Sequence, residues 1–167
     1  MVCILGIDPG TRITGYGLIR VAPPFLEPLD FGCIRPPPKL PLAERYLILF
    51  EALEALLDRF QPEAVAVESQ FVLKNAQSAI KLGMAKGMVI LAAAKRKIPV
   101  HEYPPKKAKK AVVGNGAASK FQVQRMIANL LRLPNLPEPE DAADALALAI
   151  CHANNLRMQC LNTSKVR

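Results

Sequence analysis

Tryptophan is absent from the 167 residues, histidine occurs twice, and aromatic side chains make up only 5% of the chain. The four cysteines, Cys3, Cys33, Cys151 and Cys160, lie far apart with no C-x-x-C pair, and His101 and His152 supply no matching ligand spacing, so a zinc site is not expected. Export is not signalled either. Residues 1–10 carry no basic lead-in and their apolar run is broken by Asp8, which reads as a buried strand rather than a signal peptide. Without an oxidising compartment disulfides are not expected, and Cys3, Cys33 and Cys151 are read as small core residues. Long hydrophobic runs are missing as well: the stretch at 88–94 falls far short of the roughly 20 residues that cross a bilayer. A membrane-spanning protein is excluded and a cytoplasmic location expected. No internal repeat is found, and the Pro-rich segment 36–41 is too short to link two domains.

What the chain does have is positive charge and apolar content. Lys and Arg total 22 against 14 Asp and Glu, a formal net charge of +8, which favours a polyanionic partner, nucleic acid before an anionic membrane surface. With 51% hydrophobic residues, the length suits one well-buried core rather than two. One domain over 1–158 is expected, with 159–167 as a polar, flexible tail.

Strand patterns occupy 3–8, 16–21 and 29–35, joined by connectors short enough to imply an antiparallel meander, with Pro9-Gly10-Thr11-Arg12 as the first turn. Pro36-Pro37-Pro38 ends that ladder. Leu42, Tyr46, Leu49, Leu53, Leu56 and Phe60 then recur at helical spacing, and the helix stops near Pro62. A short apolar run at 64–68 feeds a second helix over 77–97, and 100–103 is a fifth strand halted by Pro104-Pro105. Further helices begin near Lys107, Ser119 and Glu140. The order βββαβαβ predicts an α/β fold: a mixed five-stranded sheet, antiparallel meander plus parallel strands, with helices on both faces.

Two carboxylates end apolar strands, Asp8 after 2–7 and Glu68 after 64–67, where a charge is costly unless something cationic meets it. Strand ends on one edge of an open α/β sheet are where such folds place their sites. Asp141 and Asp144 stand three apart at the start of the last helix, sharing one face. Ala142, Ala143, Ala145, Ala147 and Ala149 beside them are small enough to let that helix lie close to the sheet. Two like charges about 5 Å apart repel by roughly 3 kcal/mol at an effective dielectric near 20, so four acids in one pocket require a divalent cation. Oxygen ligands without histidine suit Mg²⁺, with Mn²⁺ able to substitute. A pair of such ions can activate water and stabilise a leaving oxygen in phosphodiester hydrolysis. Local alternatives stay open: Asp141 could be an acid favoured by the helix dipole, and Asp8 an ordinary turn residue.

Order and spacing decide among these. Gly6-Ile7-Asp8-Pro9-Gly10-Thr11 with Gly15-Tyr16-Gly17, Glu68-Ser69-Gln70-Phe71 with Lys74-Asn75-Ala76, and Lys81-Leu82-Gly83-Met84-Ala85-Lys86-Gly87 are followed by Val112-Val113-Gly114-Asn115-Gly116 and Asp141-Ala142-Ala143-Asp144-Ala145-Leu146. Over about residues 3–155 this series resembles the RuvC family of Holliday-junction resolvases, which have an RNase H-like fold. The resemblance implies that Asp8, Glu68, Asp141 and Asp144 are catalytic metal ligands, two Mg²⁺ per active site. It implies that the substrate is four-way junction DNA cut by paired symmetric nicks in recombination and repair, that the protein is a homodimer, and that it works beside the RuvAB branch-migration complex. It also implies DNA contacts for Lys109 and Lys120, and for Phe71 as a ring stacking on an unpaired base at the crossover, although Phe71 could equally be a core residue. Lys106, Lys107 and Lys110 have no assured counterpart and are read as a solvated basic face.

Two other functions compete. An actin-like or sugar-kinase ATPase would use Asp8 to Thr11 as its phosphate loop, but needs a second duplicated domain that this length cannot supply. A junction-binding protein with a degenerate active site differs from a nuclease only in whether the four acids bind metal.

Overall fold

In the computed structural model, residues 1–69 and 75–164 are described, with the side chains of 160–164 excepted. Among them, five strands form one sheet in the order β3-β2-β1-β4-β5, where β1 is Val2–Asp8, β2 Thr14–Ala22, β3 Phe25–Ile34, β4 Ala64–Glu68 and β5 Val100–Tyr103. The first three strands pair antiparallel, whereas β4 runs parallel to both β1 and β5. Helices α1 (Leu42–Phe60), α2 (Ala76–Lys95), α3 (Pro105–Val113), α4 (Lys120–Leu131) and α5 (Glu140–Ser164) complete the order. The mixed five-stranded α/β architecture expected from the sequence is the one found.

Strand residues alternate between two cores. Leu5, Ile7, Leu18, Val65 and Val67 face α1 and α2, packing with Leu49, Leu53, Val89 and Ala92. Ile4, Ile19 and Ala66 face the other way, into a core with Ile127 of α4 and Leu146, Ala147 and Ile150 of α5. The period of two is what a sheet covered on both faces requires.

β3 begins at Phe25, four residues before the expected start, and so includes Pro28. Proline lacks the N–H that a central ladder needs, but β3 is an edge strand, where one side of the backbone is unpaired. The pairs Leu18↔Asp30 and Ile19↔Pro28 leave Leu29 as an extra residue, a bulge that absorbs the irregularity. At the other end of the chain, α5 runs to Ser164, through residues where a polar tail was expected to start. Of the cysteines read as core, Cys151 is buried, whereas Cys3 and Cys33 are only partly so.

The tightest contact is between α5 and the sheet. A β-carbon on Gly6 would lie 1.9 Å from the carbonyl oxygen of Ala145, and one on Gly15 would lie 2.0 Å from that of Asp141. Gly6 is paired with Gly17 and Gly15 with Asp8, so these glycines make a side-chain-free trough across β1 and β2. Ala142, Ala145 and Ala149, all fully buried, fill it from the helix side. Backbone thus rests on backbone, and α5 cannot retreat without losing a large share of its core.

Gly6→Ala sets a methyl group against main chain rather than against a side chain that can rotate. Overpacking of this kind costs about 1–3 kcal/mol or more. A fall of that size in unfolding free energy is expected from urea titration; a loss below about 0.5 kcal/mol would contradict the contact.

Candidate active site

Register and parity together bring the acids to one place. β1 and β4 pair in parallel as Ile4↔Ala64 and Gly6↔Ala66, so continuing the ladder sets Asp8 beside Glu68 at the same edge of the sheet. Ile4 and Ala66 point to the α5 side. Asp8 and Glu68, an even number of residues along their strands, point there too. Gly15, opposite Asp8, carries the main chain of Asp141 directly above it. Asp144 follows on the next turn of the same helix. Residues from three segments of the chain, sixty or more positions apart, are thereby gathered under the first turns of α5.

The electrostatics of the acids follow from this proximity and from burial. Burial first, then the charges of Glu68, Asp144 and Asp141, push the Asp8 carboxyl from the ordinary aspartate range up to about 8, against a smaller opposing effect of Lys120. Glu68 is raised by burial and by Asp144 and lowered by Lys109. Asp144 is raised chiefly by burial, with Lys120 and Lys109 opposing. The acids feel one another strongly, and the two lysines singled out from sequence are the cations that face them. Among the described residues, no three such side chains close around a single point as a preformed cage. The fold supplies instead a set of half-buried oxygen donors with too little positive charge to balance them. That donor set fits a hard divalent cation, Mg²⁺ or Mn²⁺, and offers nothing to a softer metal that prefers nitrogen or sulfur.

The lysines are held by different means. Lys109 is half-buried in α3, and Lys120 is the first residue of α4. A capping box fixes that helix start: the Ser119 hydroxyl accepts from Gln122 N–H at 3.2 Å, and the Gln122 carboxamide oxygen accepts from Ser119 N–H at 2.8 Å. Lys120 Nζ lies 2.6 Å from Glu140 Oε2. Both side chains are more than half exposed, so the pair contributes less than about 1 kcal/mol to stability. It does hold the ammonium over the acid edge. Glu140 as the partner of Lys120 escaped the sequence reading, which had only a helix-terminal acid to work with; its place next to Asp141 was the available signal. Of the remaining basic residues in α3, Lys107 lies over the Tyr103 ring, 5.3 Å from its centroid, and Lys106 and Lys110 are exposed. Phe71 lies outside the described residues.

An RNase H-like sheet with acids from two parallel strands and a covering helix at one edge defines a nuclease of that superfamily. The family model for the crossover junction endodeoxyribonuclease RuvC matches residues 4–152. The chain belongs to the RuvC family. It is 60% identical over 152 residues to the crossover junction endodeoxyribonuclease RuvC of Protochlamydia amoebophila, covering 91% of this chain and 90% of the relative. Against the corresponding protein of Chlamydia abortus it is 50% identical over 161 residues, 95% of this chain and 98% of the relative. Its structure superimposes on that of Thermus thermophilus RuvC in complex with a Holliday junction substrate with a TM-score of 0.90 and 37% identity, covering 95% of this chain and 97% of the other. The yeast mitochondrial Holliday junction resolvase shares the fold at a TM-score of 0.62 and 14% identity, with 96% and 85% coverage.

Metal-free protein should lose stability as pH rises. The unfolded chain ionises Asp8 near pH 3.9, whereas the folded chain holds the proton to about pH 8. Between those values the unfolded state is the one that releases it, so the unfolding free energy falls from about pH 4 to about pH 8 and then levels off. The raised values of Glu68 and Asp144 add to the same slope. Denaturation midpoints in chelator across this range measure it, and Asp8→Asn should flatten the profile; an unchanged slope in the variant would show that Asp8 is not the group responsible.

Proposed function

We propose that this protein is a structure-selective endonuclease that resolves four-way DNA junctions by paired symmetric nicks during homologous recombination and repair. In this reading it acts in the cytoplasm as a homodimer, beside the RuvAB branch-migration complex. The observation that carries the reading is the meeting of Asp8, Glu68, Asp141 and Asp144 at one sheet edge, with Lys109 and Lys120 facing them. The junction-bound relative from T. thermophilus, alike along nearly its whole length, supports the choice of substrate.

The four carboxylates are the ligands in this scheme, and two Mg²⁺ ions are the cofactor. When bound, the ions supply Lewis acidity to the phosphoryl group and make water a competent nucleophile near neutral pH. Asp8 must give up its proton to act as a ligand, so ion binding releases protons and strengthens with pH through the range where Asp8 titrates. Lys109 and Lys120 supply positive charge that offsets the phosphate approaching the acids. Water is excluded from the rear of the site by the α5 contact. Cleavage at the bond between phosphorus and the 3′ oxygen leaves a 5′-phosphate on the product strand.

The homodimer is supported by the outer face of α2. Ile80, Met84 and Leu91, 62%, 46% and 55% exposed, recur at helical spacing on one stripe. Gly83 and Gly87 lie within it and have no neighbour within 4 Å at the β-carbon position, which leaves room for a second helix to approach closely. A self-complementary stripe suits a two-fold axis, and a four-way junction is itself nearly two-fold symmetric.

Nicking of a synthetic four-way junction is expected with Mg²⁺ and should stop with chelator. Asp8→Asn should bind the junction within about twofold of wild type yet cut at least a hundredfold more slowly, as loss of an effect worth several kcal/mol implies. Cutting that persists without divalent ions would refute the mechanism. For the dimer, Ile80→Glu should convert the protein to a monomer in sedimentation analysis; a variant that sediments like wild type would remove α2 from the interface.

A further inference from the structure

A second cationic feature lies on the opposite face of the sheet from Lys109 and Lys120. Thr11, Arg12, Arg45, Ser78 and Lys81 line a cavity of about 420 Å³ between the turn after β1 and the first turns of α1 and α2. Thr11 and Arg12 lie three and four residues beyond Asp8, and both helices begin at the acid edge. The cavity therefore opens beside the catalytic carboxylates.

Its charges are unbalanced. Two other partly buried cations are neutralised: Arg96, with a side chain 20% exposed, is paired with Glu54 and Asp58, and Lys86, 14% exposed, with Glu102. Among the described residues, no carboxylate lies within ion-pair distance of Arg12, Arg45 or Lys81. Arg45 donates through Nη2 to the Thr11 carbonyl, which fixes the guanidinium against the turn, while its Nε is buried with no hydrogen-bond partner. An orphan donor of this kind costs free energy that a bound acceptor would recover. Ser78 adds a hydroxyl in the first turn of α2, whose start is capped by Asn75, so the positive end of the helix dipole faces the same space.

We infer that this cavity binds a backbone phosphate of the strand being cut, next to the scissile one, and so fixes where along the strand the acids act. The choice of ligand rests on the nuclease reading above; the preference for an oxyanion rests on the cavity alone. Three cations, two of them guanidinium groups, and two hydroxyls match the non-bridging oxygens of a phosphodiester, and nothing in the lining selects a base. With Lys109 and Lys120 on one face and this cavity on the other, cations flank the acids on both sides of the sheet edge.

Arg12 and Lys81 are exposed and can be replaced without disturbing the fold. Binding of a synthetic four-way junction is measured in chelator over a range of salt concentrations, comparing wild type, Arg12→Ala/Lys81→Ala, and Arg59→Ala/Lys97→Ala, which removes equal charge at the far edge of the sheet. The cavity variant should bind ten- to a hundredfold more weakly, and its slope of log affinity against log salt should fall by about 1, as for one lost phosphate contact. The control should change less than threefold with its slope intact. With Mg²⁺ present, the cavity variant should show KM raised about tenfold and kcat within about threefold. Equal effects in the two double variants, or an unchanged slope in the cavity variant, would overturn the subsite while leaving wild-type nicking, and hence the nuclease reading, standing. A wild type that binds but never nicks, with the slope lost in the cavity variant, would do the reverse. Failure of wild type to bind the junction would overturn both.

Discussion

The contact on which the rest depends is main chain against main chain, where α5 lies in the trough of Gly6 and Gly15. Helices usually cover sheets through interlocking side chains, which keep the two backbones well apart. Here the side chains have been removed from the strand side and reduced to alanine on the helix side. The gain is positional. With its backbone seated directly on β1 and β2, α5 delivers Asp141 and Asp144 to the acid edge at a fixed height, with little freedom to drift.

That precision matters because the acids are mutually repulsive. A loosely held helix would relieve the strain by moving Asp141 and Asp144 away from Asp8 and Glu68. The buried helix–sheet contact opposes this, and burial together with the neighbouring charges raises the proton affinity of the acids, that of Asp8 to about 8. The hydrophobic core therefore holds together a set of charges that would separate if the elements were free.

Much of this was legible in the residues. The period-two pattern of β1 and β4, the helical recurrence through α1, and the acids at strand ends each have a local cause that a sequence displays. The bulge that carries Pro28 into β3 was not visible, because whether a proline is tolerated depends on which strand becomes the edge, and that is decided by β2 lying between β1 and β3. The alanines of α5 were recognised as a close-packing surface, but the glycines opposite were not matched to them, since nothing local to Gly6 or Gly15 says that a helix more than a hundred residues later will lie there. Likewise Glu140 could not be assigned to Lys120, nor Arg45 to Thr11, until the chain had been folded: these are meetings between elements, and no spacing rule encodes them.

The parity of the strands also limits how this chain can change in length. Between Ile4 and Asp8, or between Ala64 and Glu68, removing one residue would turn the terminal carboxylate to the α1 and α2 side, into an apolar layer and out of reach of its partners. Only losses or gains in pairs would keep the orientation, and those would shift the acid by a full strand repeat. Insertions and deletions in descendants of this protein should therefore accumulate in the β2–β3 turn and in the proline-rich stretch before α1. The two carboxylate-bearing strands, by contrast, should keep the same residue count through evolutionary time.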